Sequence, residues 1–376
     1  MTDAIKKELI LLKLKALYYG VDISEEAFLE IQKVDTKFRR GFFYFHSTTK
    51  GANIPHEFLM PGEIVTALQY RKNSPLIIDH LDGKFFIKNS ADEIQSYIRF
   101  PQKPKFYDKI SSDGIRLSEI IQIAGRDCVR IYTSDICEFE KLGDTCRYCS
   151  IGSDRSSKKR TYRTPKQIAE AFKEAFSEGY YGHVMIAAGT YPAPDRGLLY
   201  MRDVLTEMQE ATGISKVSGS VSTTAPNDLK FIETVYNAGV EYLTLNLEVF
   251  DPVLFDKYCP GKSKDIGRKQ YFDSFKTAVD LFGVGKVRSN FVAGLEPLDS
   301  LFKGFEELGS MGVVPTAMVL TINEGNSLGT DFMRPDLDYY IEVYKKLEEI
   351  YSKFGIRPPW CSKCRTASLE NEGMFL

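Results

Sequence analysis

Short apolar runs alternate with amphipathic segments along much of the chain, and this pattern predicts a parallel α/β fold. Strands that are almost continuously apolar are typical of parallel sheets whose two faces are covered by helices. We therefore expect six parallel strands in a partial or complete (βα) TIM-type barrel, with the functional residues at the carboxyl ends of the strands. The six runs are VRIYTSD (129–135), HVMIAAG (183–189), KVSGSVS (216–222), YLTLNLE (242–248), VRSNFVAG (287–294) and VPTAMVLTI (314–322).

The segments between these runs have helical periodicity and recognisable helix boundaries. In TPKQIAEAFKEAFSEG, Thr164 is a suitable cap and Pro165 occupies the first helical position, whereas PNDLKFIETVYNAG ends on Gly239. A long helix is predicted for DLDYYIEVYKKLEEIYSKFG, after the sixth strand. The barrel is therefore expected over residues 106–330, and a C-terminal helix and tail over residues 331–376.

Residues 1–105 lack this alternation and are predicted to form an N-terminal accessory region. The chain begins with an amphipathic helical pattern, MTDAIKKELILLKLKALYYG, and the later stretch PLIIDHLDGKFFIKN predicts a hairpin that turns at Asp82-Gly83. The segment FPQKPKFYDK (100–109) contains two prolines and no clear period, so we expect it to be a linker.

Charge and hydropathy narrow the class of protein. The 49 basic and 51 acidic residues give a net charge of −2, which provides no overall field for attracting nucleic acid or an anionic membrane. The N-terminus lacks the continuous apolar region and cleavage site of a signal peptide, and no apolar run is long enough for a membrane span. We expect a cytoplasmic enzyme that binds neither nucleic acid nor membrane.

Three of the seven cysteines lie in SDICEFEKLGDTCRYCSIG (134–152), directly after the first predicted barrel strand. Cys137, Cys146 and Cys149 provide one close pair and a third thiolate from a loop at the carboxyl end of the barrel. A structural zinc ion would need a fourth ligand, such as Cys128, whereas three thiolates on a [4Fe–4S] cluster leave one iron open for a substrate or cofactor. The spacing alone allows both metals.

The cysteine segment resembles the signature of the radical S-adenosylmethionine (SAM) enzymes, Cys-x3-Cys-x-aromatic-Cys. Tyr148 is the aromatic residue of that pattern, but the first gap has eight residues in place of three. The resemblance implies that Cys137, Cys146 and Cys149 hold a [4Fe–4S] cluster and that its open iron binds the amino and carboxylate groups of SAM. It spans about residues 106–330, because further motifs follow in the expected order.

Four of these motifs imply where SAM binds. AAGT (187–190) matches the short second-strand motif that binds the amino group of SAM, and LNLEVFDPVLF resembles the fourth-strand segment of biotin and lipoyl synthases, which faces the cofactor. KVRSNFVAGLEP (286–297) and VLTINEGNSL (319–328) resemble their fifth- and sixth-strand segments. The cofactor-binding residues expected from these matches and from the third strand are Tyr148, Ala188, Gly189, Thr190, Ser220, Ser222, Asn246 and Glu248.

Two arginines are further candidates for this site. Arg268 and Arg288 could bind a carboxylate of the substrate or of the cofactor, because guanidinium groups match carboxylates in geometry. Ion pairs within the barrel are an equally good explanation for both.

The remaining cysteines raise the question of a second cluster. Biotin-synthase-like enzymes hold a [2Fe–2S] cluster within the barrel, but the matching positions here are Val184, a Ser or Gly of SGS, and Arg288, so we expect that cluster to be absent. Lipoyl synthases hold an auxiliary [4Fe–4S] cluster on three cysteines and one serine, and the resemblance implies Cys128, Cys361, Cys364 and Ser368 for this role. A zinc knuckle or plain thiols are the alternatives for the tail, and Cys259, in YCPGK, stays unassigned.

The resemblance implies that the chain cleaves SAM reductively to a 5′-deoxyadenosyl radical. Within this chemistry the sequence favours sulfur insertion of the lipoyl-synthase type, with a lipoyl-carrier protein or octanoyl peptide as substrate and possibly a second radical SAM subunit, as in the two-protein lipoyl synthases. A ferredoxin or flavodoxin is the expected electron donor, and the N-terminal region a candidate docking surface. The alternatives are dehydrogenation or rearrangement of a small metabolite, or a zinc-stabilised binding protein.

Overall fold

The computed structural model describes residues 1–36, 54–134, 136–149, 151, 162–322, 326–329, 332–359 and 365–376. Its N-terminal region begins with a long helix and continues into small sheets. The elements are α1 (Asp3–Tyr19), β1 (Asp22–Ile23), α2 (Glu25–Ile31), β2 (Glu57–Met60), β3 (Ile64–Ala67), β4 (Leu76–Leu81), β5 (Lys84–Asn89) and β6 (Ile94–Ile98). Short 3-10 helices lie at Pro61–Glu63, Lys105–Asp108, Leu117–Glu119 and Gly373–Phe375.

The second part of the chain alternates strands and helices, as the hydrophobic pattern predicts. Its strands are β7 (Ile121–Ala124), β8 (Cys128–Tyr132), β9 (His183–Ala187), β10 (Val217–Thr223), β11 (Val240–Leu245), β12 (Val287–Ala293) and β13 (Val313–Val319). Its helices are α3 (Glu138–Lys141), α4 (Pro165–Ser177), α5 (Leu198–Thr212), α6 (Lys230–Asn237), α7 (Pro252–Tyr258), α8 (Pro260–Asp265), α9 (Gly267–Phe282), α10 (Leu298–Ser310) and α11 (Leu337–Phe354).

The large sheet is a partial barrel. Its order is β13-β12-β11-β10-β9-β8-β7, so the six predicted strands are adjacent in chain order and parallel. The seventh strand, β7, was not predicted; it pairs antiparallel with β8 at one edge. In the described residues β13 and β7 do not pair with each other, so the barrel is partial and not complete.

Alternation along the strands separates the two faces of this sheet. Phe291 of β12 contacts Phe305 of α10 on one face of the sheet. Arg288 and Asn290 alternate with Phe291 and so belong to the other face, where they bond to polar side chains of adjacent strands. The inner face is therefore polar and the outer face is covered by helices. This polarity is what a binding site inside a half-barrel requires.

Several local predictions are confirmed. Thr164 caps α4 with a complete capping box and Pro165 begins the helix, and the hairpin of β4 and β5 turns at Asp82-Gly83. Gly239, just after α6, has a φ of 78°, a left-handed conformation that glycine adopts without steric cost.

The expected linker at residues 100–109 is wrong. Phe106 and Tyr107 lie in a 3-10 helix and are buried, and the Tyr107 hydroxyl accepts a hydrogen bond from the backbone N–H of Ile123 in β7 (2.7 Å). Proline suggested a flexible connection, but the two aromatic side chains anchor the segment against the barrel. Buried residues of the N-terminal region, the barrel and the tail form one continuous core.

The C-terminal tail is tied to α1 by a buried ion pair. Lys13 Nζ donates to Glu372 Oε2 (2.8 Å) and to the backbone oxygen of Arg365 (2.7 Å), and Lys13 is fully buried. The tail also contacts the sheet, because Ala317 of β13 donates its backbone N–H to Glu370 (3.1 Å). The tail and α1 together form what we call the closure of the barrel.

No helix among the described residues is both long enough and apolar enough to cross a lipid bilayer.

Candidate active site

The segment with the three cysteines lies at the carboxyl ends of β8 and β9. Two backbone hydrogen bonds connect it to β9 and the residues that follow: Thr133 donates to Ala187 O (2.9 Å) and Glu138 to Thr190 O (2.7 Å). A Cβ atom on Gly189 would overlap the backbone oxygen of Ile136, so glycine is required for the segment to approach β9 so closely. The glycine of AAGT therefore has a packing role here, in addition to the cofactor role that the sequence predicts.

The three cysteines lie in buried or half-buried surroundings. Cys137 is 8% exposed and packs with Phe139 and Ile151, which Cys149 also contacts, whereas Cys146 packs against the main core. Burial raises the pKa of Cys149 to about 12, and the nearby Cys146 and Cys137 contribute in the same direction. A positive charge is therefore needed to hold Cys149 as a thiolate, and an iron–sulfur cluster provides it.

The donor set fits a [4Fe–4S] cluster, because three thiolates can each bind a different iron and leave the fourth iron open. A site for a single metal ion is a poorer fit, since among the described residues no three His, Cys, Asp or Glu side chains are grouped closely enough to hold one ion.

Cys146 is directed towards a fourth cysteine, Cys259, at the junction of α7 and α8. A side-chain hydrogen bond from Cys259 is the main reason why the pKa of Cys146 is lowered, and the Tyr148 hydroxyl also bonds to Cys146. Tyr148, predicted from the motif, therefore lies beside its cysteine. No local spacing connects Cys259 to residues 137–149, so the sequence alone assigns it no role.

A buried ion pair lies next to these thiols. Lys262 Nζ donates to Glu248 Oε1 (3.0 Å) and to the backbone oxygen of Asn246 (2.7 Å). Burial alone would lower the pKa of Lys262, but Glu248, followed by Tyr271 and Cys146, raises it well above its usual value. Lys262 was missed by sequence reasoning, although its place in CPGK, soon after the fourth strand, was a usable signal.

Glu248 has an unusual backbone for its residue type. Its φ is 74°, a left-handed conformation that is uncommon for residues other than glycine and is frequent at functional sites. Its backbone bonds to two residues of β12, since Glu248 N donates to Asn290 O (3.0 Å) and Val292 N donates to Glu248 O (3.0 Å). These bonds hold the carboxylate at the mouth of the half-barrel.

Asn246 links three strands across the inner face. Its Nδ2 donates to Ser222 Oγ (3.2 Å), and its Oδ1 accepts from the backbone N–H of Asn290 (3.2 Å). Two residues after Ser222, just past β10, the buried hydroxyl of Thr224 has no hydrogen-bond partner among the described residues. An unpaired buried hydroxyl after a strand end is consistent with a ligand that binds at this end of the barrel.

Three of the expected cofactor residues have bonding partners other than Glu248 and Lys262. Arg288 Nη2 donates to Thr244 Oγ1 (2.6 Å) and Ser220 Oγ (3.3 Å), so Arg288 and Ser220 are bonded to each other within the half-barrel, and burial lowers the pKa of Arg288 to about 9. Arg268, on α9, donates to the backbone oxygen of Phe250 and lies over its ring (4.9 Å). Their role in binding a cofactor stays a prediction.

Cys128, one of the proposed auxiliary ligands, is separated from the site. Cys128 is the first residue of β8, so at about 3.3 Å per residue it lies about 13 Å along the strand from Tyr132, where the strand ends. Cys128 therefore cannot complete a zinc site with the three loop cysteines, because it begins the strand that they follow. Ser368 is half-buried and bonds to Glu370, and Cys361 and Cys364 lie outside the described residues.

A cavity of about 350 Å³ lies next to the cysteine segment. Tyr258 lines the cavity, and its backbone oxygen accepts a hydrogen bond from the backbone N–H of Arg147 (2.9 Å). This bond places the cavity beside Cys146. Most of its lining is apolar or aromatic, including Leu295, Leu328, Phe332, Met333 and Tyr339. The cavity is large enough for part of a small organic ligand.

Comparison with known proteins points to one superfamily. Residues 131–296 match the model of the Radical SAM superfamily. The chain is similar to bacteriochlorophyllide c C-7(1)-hydroxylase of Chlorobaculum limnaeum, with 26% identity over 265 residues, and the match covers 65% of this chain and 65% of that protein. The match thus spans slightly less than two thirds of the relative's length.

Solved structures of low sequence identity are also similar. Methylornithine synthase has 17% identity and a TM-score of 0.45, and the match covers 58% of this chain and 61% of that chain. The FeFe-hydrogenase maturase of Carboxydothermus hydrogenoformans has 16% identity and a TM-score of 0.49, with 69% of this chain and 58% of that chain covered. A radical SAM methyltransferase from Sphaerobacter thermophilus has 14% identity and a TM-score of 0.45, with 77% and 76% covered.

Proposed function

We propose that the chain is a radical SAM enzyme, because residues 131–296 match the model of that superfamily, and that it hydroxylates an unactivated C–H bond of a small organic substrate. The cofactors of this superfamily are a [4Fe–4S] cluster and SAM, which together supply a 5′-deoxyadenosyl radical that removes hydrogen from carbon. Like other radical SAM enzymes, the protein needs an external reductant. This assignment replaces the zinc-stabilised binding protein among the expectations from sequence.

The observation that carries the proposal is the position of the cysteine segment beside a mostly apolar cavity and the polar residues Asn246 and Glu248. Cys137, Cys146 and Cys149 would hold the cluster, and Asn246 and Glu248 face the same end of the half-barrel. Lys262 fixes the carboxylate of Glu248 and prevents it from turning away. Held in this way, Glu248 can accept hydrogen bonds from the ribose or amino groups of SAM while the cavity beside Tyr258 excludes water from part of the ligand.

Hydroxylation is the preferred outcome because the curated relative is named as a hydroxylase. Written in balance, one substrate C–H, one SAM and one water give one alcohol, methionine, 5′-deoxyadenosine and a proton. The electron that initiates SAM cleavage is recovered when the carbon radical is oxidised before water adds. SAM is therefore the two-electron oxidant, and no second iron–sulfur cluster is needed as a source of sulfur.

Lipoyl-synthase-type sulfur insertion, the more specific expectation from sequence, is the weaker candidate. It requires a sulfide-donating cluster beside the carbon radical, whereas Cys128 begins β8 and the cysteine segment follows the end of that strand. The carrier-protein substrate and the second radical SAM subunit depend on this reaction and remain proposals with it. Only a second cluster built without Cys128 at the carboxyl end would restore sulfur insertion.

Anaerobic reconstitution with iron and sulfide tests the proposal. We expect about four irons per chain, as for one [4Fe–4S] cluster, and about eight for the sulfur-inserting alternative. Bacteriochlorophyllide c, deuterated at its methyl groups, is a suitable first substrate: hydroxylation predicts deuterium in 5′-deoxyadenosine and oxygen from labelled water in the product. Deuterium transfer from an octanoyl peptide, with sulfur in its product, would overturn hydroxylation in favour of sulfur insertion.

A further inference from the structure

The junction between α7 and α8 contains a cysteine that has no part in the proposed reaction. Cys259 is fully buried, and its backbone is fixed from both sides: its N–H donates to Phe255 O (2.8 Å), and its carbonyl accepts from Ser263 N (2.9 Å). Both helices therefore hold the backbone of Cys259 in place.

Two backbone hydrogen bonds hold Cys146 and Cys259 opposite each other. Arg147 N donates to Tyr258 O (2.9 Å), and Gly261 N donates to Asp144 O (3.1 Å), so the residues around one cysteine bond to the residues around the other. The two side chains are close enough to interact, because Cys259 lowers the pKa of Cys146. The contact between the cysteines is therefore part of a well-connected interface and does not depend on one flexible side chain.

Glycine at position 261 is needed for this interface. A Cβ atom there would lie 2.5 Å from the Phe139 ring and 2.8 Å from Asp144 O. Lys264 Nζ adds an ion pair to Asp144 Oδ1 (2.6 Å). Phe139 and Asp144 both belong to the long gap between Cys137 and Cys146, so the eight-residue spacing supplies the residues that contact the junction.

We propose that Cys259 is a positioning residue whose S–H donates a hydrogen bond to the sulfur of Cys146 when that sulfur binds the cluster, and that this bond raises the reduction potential of the cluster. The inference rests on the proposed function, because it requires the [4Fe–4S] cluster. Reduction by one electron, taken from the external reductant, adds one negative charge to the cluster. A donor to a ligand sulfur stabilises that charge, and the proton stays on Cys259.

A potential measurement on three variants tests this role. Cys259→Ala removes the donor, Cys259→Ser keeps a hydroxyl donor, and Val235→Ala creates a comparable cavity in α6, where Val235 is fully buried in the helix layer. Each protein is reconstituted anaerobically, and the reduced fraction is followed by electron paramagnetic resonance during a redox titration. At a fixed potential we expect Cys259→Ala to lower the ratio of reduced to oxidised cluster by up to about tenfold, or about 59 mV.

The serine and valine variants decide the result. We expect both to stay within about twofold of the wild-type ratio, which corresponds to less than about 0.5 kcal/mol. A Cys259→Ser potential that shifts as far as that of Cys259→Ala, or an alanine variant that keeps the wild-type potential, overturns the proposal. If the alanine variant binds no cluster, a serine variant with the wild-type potential still supports the role of donor.

A different result would identify Cys259 as a cluster ligand. In that case neither Cys259 variant would bind about four irons, whereas Val235→Ala would, and the hydrogen-bond proposal would be wrong. Failure of the wild-type protein to bind any iron would instead contradict the proposed function. The two failures are therefore distinguishable.

Discussion

Two buried Lys–Glu pairs in this protein have nearly the same geometry but different surroundings. Lys262 and Glu248 lie 3.0 Å apart beside the cysteine segment, and Lys13 and Glu372 lie 2.8 Å apart in the closure, where α1 meets the tail. All four side chains are almost completely buried. The difference between the pairs therefore comes from the groups around them.

The surroundings shift the pKa values of the two lysines in opposite directions. Burial outweighs the attraction of Glu372 and lowers the pKa of Lys13, with the nearby Arg365 contributing in the same direction. For Lys262 burial acts the same way, but Glu248, Tyr271 and Cys146 outweigh it and raise the pKa. The site thus has an excess of negative and ionisable groups around one cation, whereas the closure has two cations around Glu372.

This contrast distinguishes an ion pair of the closure from one at the proposed active site. In the closure, Lys13 also bonds to the backbone oxygen of Arg365, and Arg365 Nη2 lies 3.4 Å from Glu372. At the proposed active site, the partner carboxylate belongs to Glu248, which has a left-handed backbone. Backbone strain of this kind is a feature that binding can exploit.

The largest expected effect distinguishes the cysteines that follow β8 from Cys128, which begins that strand. Cys149→Ala removes one of the three proposed cluster ligands, so we expect loss of bound iron and a fall of SAM cleavage to the level without enzyme. Cys128→Ala, at the start of β8, should keep SAM cleavage and lose only about 1 kcal/mol of unfolding free energy. Iron analysis and 5′-deoxyadenosine formation measure both. A Cys128→Ala protein with half the wild-type iron would instead support an auxiliary cluster.

Features set by neighbouring residues could be predicted from the sequence. The six parallel strands follow from apolar runs, the start of α4 from Thr164 and Pro165, and the hairpin from Asp82-Gly83, because each depends on a few consecutive residues. The position of the cysteine segment after β8 follows from the same logic.

Contacts between distant segments could not be predicted. Cys259 lies 113 residues after Cys146 in the sequence, and only the packing of the α7–α8 junction brings the two sulfurs together. Lys262 was missed because a lysine near a strand end is ordinarily exposed. Phe106 and Tyr107 were assigned to a linker because the prolines beside them obscured their burial.

A second, smaller effect separates the two lysines. Lys13→Met leaves Glu372 buried without its main partner, which costs about 3 kcal/mol of unfolding free energy, while SAM cleavage per folded molecule should stay unchanged. Lys262→Met releases Glu248, so we expect the KM for SAM to rise roughly tenfold, or about 1.4 kcal/mol. Urea unfolding and steady-state kinetics on both variants measure the contrast. Equal effects of both variants on KM would show that the two pairs do not have distinct roles.

The smallest effect is in the pH dependence of stability. The pKa of Lys13 is below 10.5 in the folded protein, so the unfolded chain binds more protons at pH values between that folded-state pKa and 10.5. The free energy of unfolding therefore rises with pH across this range, because burying Lys13 costs less once the lysine is deprotonated. The unfolding free energy of the wild type, minus that of Lys13→Met, should therefore increase from pH 8 to pH 10, by at most about 1.4 kcal/mol per pH unit.

Lys262 should behave in the opposite way. Its pKa is above 10.5 in the folded protein, so its contribution is complete below pH 10.5 and is lost only above it. The difference between the wild type and Lys262→Met should then stay constant from pH 8 to pH 10 in urea unfolding. A rising difference for Lys262→Met, or a falling one for Lys13→Met, would mean that the surrounding charges do not distinguish the two pairs.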